Sequence, residues 1–335
     1  MKPVIFGVSG LELTADERAF FRDADPLGYI LFKRNCGDRA QMRALTDSIR
    51  ELTGRDDVPI LIDQEGGRVA RMQAPVWPEF PAGASFNALY ETAPISAIEA
   101  ARANYHALAL MLHEVGVNVD CAPLLDVVQP EVTKAIGDRA FGGEPMQVAA
   151  LGRAAIEGLR RGGVVGVVKH MPGHGRALVD SHLELPRVHA DAAALETDIE
   201  PFRSNNDAPM GMTCHVVFEA WDPASPATLS HKVISEIIRG RIGFDGLLMT
   251  DDIDMKALSG TAGEKASAAL AAGCDVVLDC WARMDEMVEI AGLIGEATPE
   301  CVTRLNRAMA TVAAGADPAA FDGLIAKRDE LLALA

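Results

Sequence analysis

Between Val164 and His182 the sequence VVGVVKHMPGHGRALVDSH leaves an apolar run and enters a cluster of Lys169, His170, His174, Asp180 and His182. Polar groups of this kind beside a sheet interior must be paired or wetted, because an isolated buried charge is expensive. Three chemistries suit these residue types. His170, His174, Asp180 and His182 are possible ligands of a hydrolytic metal. Lys169, with its pKa lowered by burial or by His170, is a possible Schiff-base amine. Asp251, the first acid of MTDD, and His182 are a possible nucleophile and proton donor on opposite faces of a sugar. In that reading Asp180, two residues before His182, holds one nitrogen of its ring. Each has a plainer structural counterpart: an Asp at a strand end caps the next helix, a GHG turn shapes a loop, and Lys169 paired with Asp63 is a salt bridge on a rim. Residue types and spacing alone do not choose among the three.

The elements that must carry these residues alternate. Apolar strands are predicted at Val4–Val8, Gly28–Phe32, Val58–Ile62, Val117–Leu125, from Val164, at Met210–Val217, Leu247–Thr250 and Asp275–Leu278. Between them lie helical segments, among them a helix opened by the capping box of Thr14 and Glu17, one stopped near Gly54, and others over Ile95–Val115, Pro145–Leu159, Val233–Ile238 and Ala266–Ala272. Eight strands alternating with helices over about 280 residues predict a single (β/α)8 TIM barrel, with a helical tail over about 300–335. In such a barrel functional groups gather at the C-terminal strand ends. Asp63, Asp126, Lys169, His170, His215 and Asp251 each close a predicted strand. The paired glycines of DQEGGR mark a tight loop after the third strand, with Arg71 just beyond, and GDRAFGG places Arg139 in a loop on the same side.

Composition narrows the partners. The 335 residues are 49% hydrophobic with no linker-like interruption, and the formal charge is -17, with basic residues scattered rather than gathered on one face. That pattern disfavours nucleic acid and leaves small ligands as partners. The N-terminal apolar run is too short for a membrane span or signal peptide, which points to a cytoplasmic protein. Six cysteines without CxxC spacing read as free thiols.

LIDQEGGRVARM, IGDRAFGG, KHMPGHG followed by DSH, and MTDDIDM stand in the order found in family 3 glycoside hydrolases, and the chain resembles the single-domain β-N-acetylhexosaminidases of that family. The resemblance runs from the second strand through the eighth. It implies that Asp251 is the nucleophile, that His182 is the acid/base with Asp180 as its dyad partner, and that Asp63, Arg71, Arg139, Lys169 and His170 hold a terminal GlcNAc. It also implies a metal-free, cofactor-free monomer acting on peptidoglycan fragments, with phosphorolysis on the same fold or an inactive sugar-binding scaffold as alternatives. Three features depart from the family pattern. Met171 replaces a commoner Phe, VLDCWARMDEM replaces the usual ending of strand eight, and LSGTAGEKAS after strand seven is short. The last two bear on the leaving-group side of the site.

Overall fold

The computed structural model describes residues 1–129, 136–181, 183–312 and 316–335. Eight parallel strands close a barrel: β1 (Lys2–Gly7), β2 (Pro26–Leu31), β3 (Ile60–Ile62), β4 (Val119–Asp120), β5 (Val165–Met171), β6 (Met210–Thr213), β7 (Leu247–Asp252) and β8 (Val276–Asp279). Each pairs with its sequence neighbours, and β8 closes on β1 with Val4 opposite Val277 and Ile5 opposite Leu278. The expected TIM barrel is the fold.

Alternation along the strands divides the core in two, because successive side chains point to opposite faces. Ile5, Ile30, Leu61, Val119, Val167, Met212, Met249 and Leu278 fill the barrel, while Val4, Phe6, Leu31, Ile62, Val168, Leu248 and Val277 face the surrounding helices. Those helices include α1 (Ala15–Ala24), α2 (Arg39–Thr53), α3 (Gly83–Thr92), α4 (Pro94–Glu114), α5 (Pro145–Arg161), α6 (Glu196–Ser204), α7 (Ala262–Ala272) and α8 (Met284–Leu293), with a wide π-type helix over Val233–Ile242. Thr14 and Glu17 form the anticipated reciprocal capping box of α1, and Gly54 ends α2 in the left-handed conformation.

The tail is helical: α9 (Pro299–Met309) and α10 (Phe321–Leu332). Cys301, Leu305, Ala308 and Met309 of α9 join the inward-facing cluster. Arg304 of the same helix donates to Asp275, at the start of β8, over 2.8 Å. The helix thereby closes the end of the barrel opposite the strand C-termini.

Two strands are shorter than the sequence suggests. The fourth narrows from Val117–Leu125 to Val119–Asp120, since Pro123 has no N–H for a ladder and only Leu124 regains a single bridge, to Lys169. The sixth ends at Thr213, where the Thr228 hydroxyl caps the Cys214 carbonyl. Val217–Phe218 instead pairs with Arg187–Val188 in a separate two-stranded parallel sheet. Strand seven runs longer, to Asp252, and α3, α6 and α8 are additions. All six cysteines are free, five of them buried and Cys36 half-buried. Among the described residues no helix is long and apolar enough to cross a membrane.

Candidate active site

The C-terminal strand ends surround a cavity of about 630 Å³. Asp63, Arg71, Arg139, Lys169, His170, Asp180 and Asp251 all line it; His182 lies outside the described residues, and its neighbour Ser181 is on the cavity wall.

One wall is a chain of ion pairs. The loop after β3 turns back at Gly66, whose φ of 101° and the approach of the Pro81 carbonyl leave no room for a Cβ. The approaching group at this anticipated tight turn is backbone. Gln64 fastens the returning strand, accepting from the Arg71 and Met72 amides at 2.8 and 3.0 Å. Arg71 thus reaches Asp63 at 3.0 Å, and Lys169 reaches the other Asp63 oxygen at 2.9 Å. Lys169 also lies 2.7 Å from Glu65, to which Arg139 donates twice, at 2.8 and 2.7 Å. The acidic neighbour that a strand-end lysine needs is in place.

Two carboxylates here sit among three cations. Burial alone would raise the pKa of Asp63, but Lys169 and Arg71 outweigh it and hold the group well below the usual carboxylate range; Glu65 is lowered in the same way by Lys169 and Arg139. Burial would likewise discharge Lys169, yet Asp63 and Glu65 keep its pKa above that of an ordinary lysine. This is the opposite of what Schiff-base chemistry requires, so that reading loses its physical basis.

Asp126, at 0% exposure, organises the end of β5 from behind. One of its oxygens accepts from the His170 and His174 backbone amides, at 3.2 and 2.7 Å, and the other lies 2.8 Å from His170 Nδ1. Burial opposes ionisation of Asp126, but the two histidines and these bonds bring its pKa down to about 2. A carboxylate facing Nδ1 fixes the proton there and leaves Nε2 as the other polar atom of the ring. His174 is pushed down to about 4, first by burial and then by His170, so it is neutral at pH 7. Among the described residues no three His, Cys, Asp or Glu side chains gather as a metal site.

The opposite wall comes from β7 and β8. Asp251 accepts the Asp252 amide at 2.8 Å, and the Asp252 carbonyl accepts from His215 Nε2 at 2.9 Å. His215 in turn rests on Thr228 at 2.7 Å, so the imidazole buttresses the strand end that presents Asp251. Asp252 takes the indole N–H of Trp281 at 3.1 Å and the Asp254 amide at 3.2 Å. Burial is the main reason that Asp252 is raised to about 6 and Asp279 to about 7; carboxylate neighbours add to it. The loop bearing Asp180 crosses to this wall, where the Ser181 carbonyl accepts the Ala257 amide at 3.2 Å.

Glu65, Asp126, Asp252 and Trp281 were not singled out as site residues from sequence. Glu65 and Asp126 had a visible signal: one lies two positions beyond Asp63 in the glycine loop, and the other closes a strand. Asp252 was visible as the second acid of MTDD at a strand end, and Trp281 only through the unusual composition after strand eight.

A barrel whose strand ends pair carboxylates with Lys and Arg on one side and present an Asp on the other can grip a polyhydroxyl ring and attack it. The profile described as Glycosyl hydrolase family 3 N terminal domain matches residues 9–314. The chain belongs to glycoside hydrolase family 3. Among similar family members, the Beta-hexosaminidase of Alkalilimnicola ehrlichii is 40% identical over 283 residues, covering 83% of this chain and 80% of that protein. The Beta-hexosaminidase of Bordetella avium is 37% identical over 322 residues, covering 93% and 89%. The crystal structure of NagZ from Neisseria gonorrhoeae in complex with N-trifluoroacetyl-D-glucosamine superposes with a TM-score of 0.89 at 31% identity, covering 100% of this chain and 98% of that one. As a member of family 3 the chain is a glycoside hydrolase.

Proposed function

We propose that this chain is a retaining exo-β-N-acetylglucosaminidase that releases terminal GlcNAc from GlcNAc-1,6-anhydroMurNAc and its peptides, as a cytoplasmic monomer in cell-wall recycling. The observation that carries the reading is the two-sided cavity, with Asp251 on one wall and the paired Asp63, Lys169, Glu65 and Arg139 on the other. The β-hexosaminidase relatives and the glucosamine derivative bound by the gonococcal NagZ support the choice of sugar.

The mechanism follows from charge placement. Asp63, Arg71, Arg139, Lys169 and His170 hold the ring hydroxyls and the N-acetyl group through hydrogen bonds whose partners are already fixed. Asp251 attacks the anomeric carbon as the bond to the leaving oxygen breaks. His182, oriented by Asp180, gives that oxygen its proton. Water then attacks the same carbon from the vacated side and loses a proton to His182, Asp251 departs, and configuration is retained. The carboxylates of β7 and β8 favour the positive charge that develops on the ring, because preorganised negative charge needs no reorganisation during the reaction.

Proton NMR of an aryl β-GlcNAc hydrolysis tests this reading: β-GlcNAc appears first and mutarotates afterwards, and adding phosphate yields no sugar phosphate. Initial α-GlcNAc would reverse the stereochemical assignment, a glycosyl phosphate would make the enzyme a phosphorylase, and total inactivity would favour a binding scaffold. The anhydroMurNAc assignment requires a higher kcat/KM for GlcNAc-1,6-anhydroMurNAc than for chitobiose.

A further inference from the structure

The segment after β8 departs most from the family pattern, and it puts an unusual residue at the cavity mouth. Trp281 lines the cavity and is 57% exposed. A large aromatic side chain left in water at a binding cleft has given up much of the benefit of burial. Phe32, the other large aromatic ring on the lining, is already covered by the Arg34 and Arg71 guanidiniums, 4.9 and 5.0 Å from its centre. Trp281 is the aromatic surface still open.

Its position is also fixed rather than loose. The Cys280 carbonyl, one residue earlier, accepts from Arg34 and fits against β1 only because Gly7 has no Cβ, which would come within 2.3 Å of that oxygen. Ala282, one residue later, adopts φ of 57°, a left-handed conformation that costs a non-glycine residue on the order of 1 kcal/mol. The indole N–H is tied to Asp252 at 3.1 Å, next to Asp251. Backbone and ring edge are both held, while more than half of the side chain faces solvent.

We infer that Trp281 is the stacking platform for the leaving portion of the substrate, and that this portion is a sugar ring. The inference rests on the GlcNAc glycosidase reading above. A pyranose presents an apolar C–H face that packs flat against an indole, and a platform fixed in advance loses little entropy on binding. Tethered through Asp252, the indole sits on the wall that presents Asp251, next to the bond being cut, and the terminal GlcNAc lies deeper, against the ion-paired wall. Trp281 therefore determines which leaving groups bind well and leaves recognition of GlcNAc to the opposite wall.

The test compares Trp281→Ala and Trp281→Phe with the native enzyme on chitobiose and on trifluoroethyl β-GlcNAc, whose leaving group carries no ring. Trp281→Ala is expected to raise KM for chitobiose roughly tenfold. Its loss on the trifluoroethyl glycoside, whose leaving group offers nothing to stack, is expected to be several-fold smaller than its loss on chitobiose. Trp281→Phe, which stacks but cannot donate to Asp252, restores most of the chitobiose affinity. Equal losses on both substrates would overturn the platform and make Trp281 a support for Asp252 alone; no loss on either would also overturn it. A native enzyme inactive on both substrates would instead refute the GlcNAc reading on which the platform depends.

Discussion

The two walls of the cavity solve the problem of buried charge in opposite ways. On the β3–β5 side, Asp63 and Glu65 alternate with Arg71, Lys169 and Arg139, and each of these two carboxylates has a cation within 3.0 Å. On the β7–β8 side, among the described residues, Asp251, Asp252 and Asp279 take part in no ion pair, and burial raises the last two toward neutral pKa values. Arg34, a nearby cation, spends its guanidinium on the Val8 and Cys280 carbonyls. The first arrangement is locked: its charges are neutralised in place, which suits a surface that must hold one ring in one orientation. The second keeps negative charge in reserve, which suits a surface facing an electron-poor anomeric carbon. In the proposed mechanism the paired residues Asp63 and Glu65 serve recognition and the unpaired Asp251 serves chemistry.

Breaking each wall should have a distinct signature. Asp251→Ala removes the proposed nucleophile from the unpaired wall, and kcat on an aryl GlcNAc substrate is expected to fall by at least about 10³-fold while the thermal midpoint changes little. Activity within tenfold of native would move the nucleophile elsewhere. Lys169→Met strikes the paired wall. The side chain is 2% exposed, and its loss leaves Asp63 and Glu65 with one arginine each, so a loss of about 3 kcal/mol in denaturant unfolding is expected together with a higher KM. Unchanged stability would mean that Arg71 and Arg139 neutralise the wall unaided.

The smallest effect sharpens the contrast through pH. Asp252 and Asp279, raised to about 6 and about 7, hold protons in the folded chain that the unfolded chain releases near pH 4. Between those values the native state binds more protons, so these two groups make stability fall as pH rises from about 4 to 7. Asp63, Glu65 and Asp126 have lowered values; their contribution is present above the ordinary carboxylate range and is lost as pH falls through it. Asp279→Asn should therefore stabilise the protein at pH 8, by roughly 1–3 kcal/mol, with the gain fading by pH 4. A gain independent of pH would show that Asp279 does not carry the charge.

How much of this was legible in the sequence follows the same division. Strand ends announce themselves where an apolar run meets a charge, which is why Asp63, Asp126, Lys169, His170, His215 and Asp251 could be placed at one mouth from sequence. The Lys169–Asp63 pair was also foreseeable, because a lysine ending an interior strand has few other ways to stay charged. The contacts of Glu65 and Asp126 were harder. Their roles depend on the loop after β3 folding back and on one carboxylate reaching two backbone amides, and neither contact has a spacing in sequence. The lengths of β4 and β6 were overread because apolar composition continues past the last ladder bond, at Pro123 and after Thr213. Trp281 was invisible as a platform, since exposure is a property of the folded rim and not of residue type.

The most direct measurement is a trapping experiment. An activated GlcNAc donor carrying a ring fluorine slows breakdown of a glycosyl-enzyme, and peptide mass mapping then locates the attached sugar. One sugar unit on the peptide containing Asp251, absent from Asp251→Ala, is the predicted result. A sugar on another residue, or turnover of the donor with inversion and no adduct at all, would contradict it.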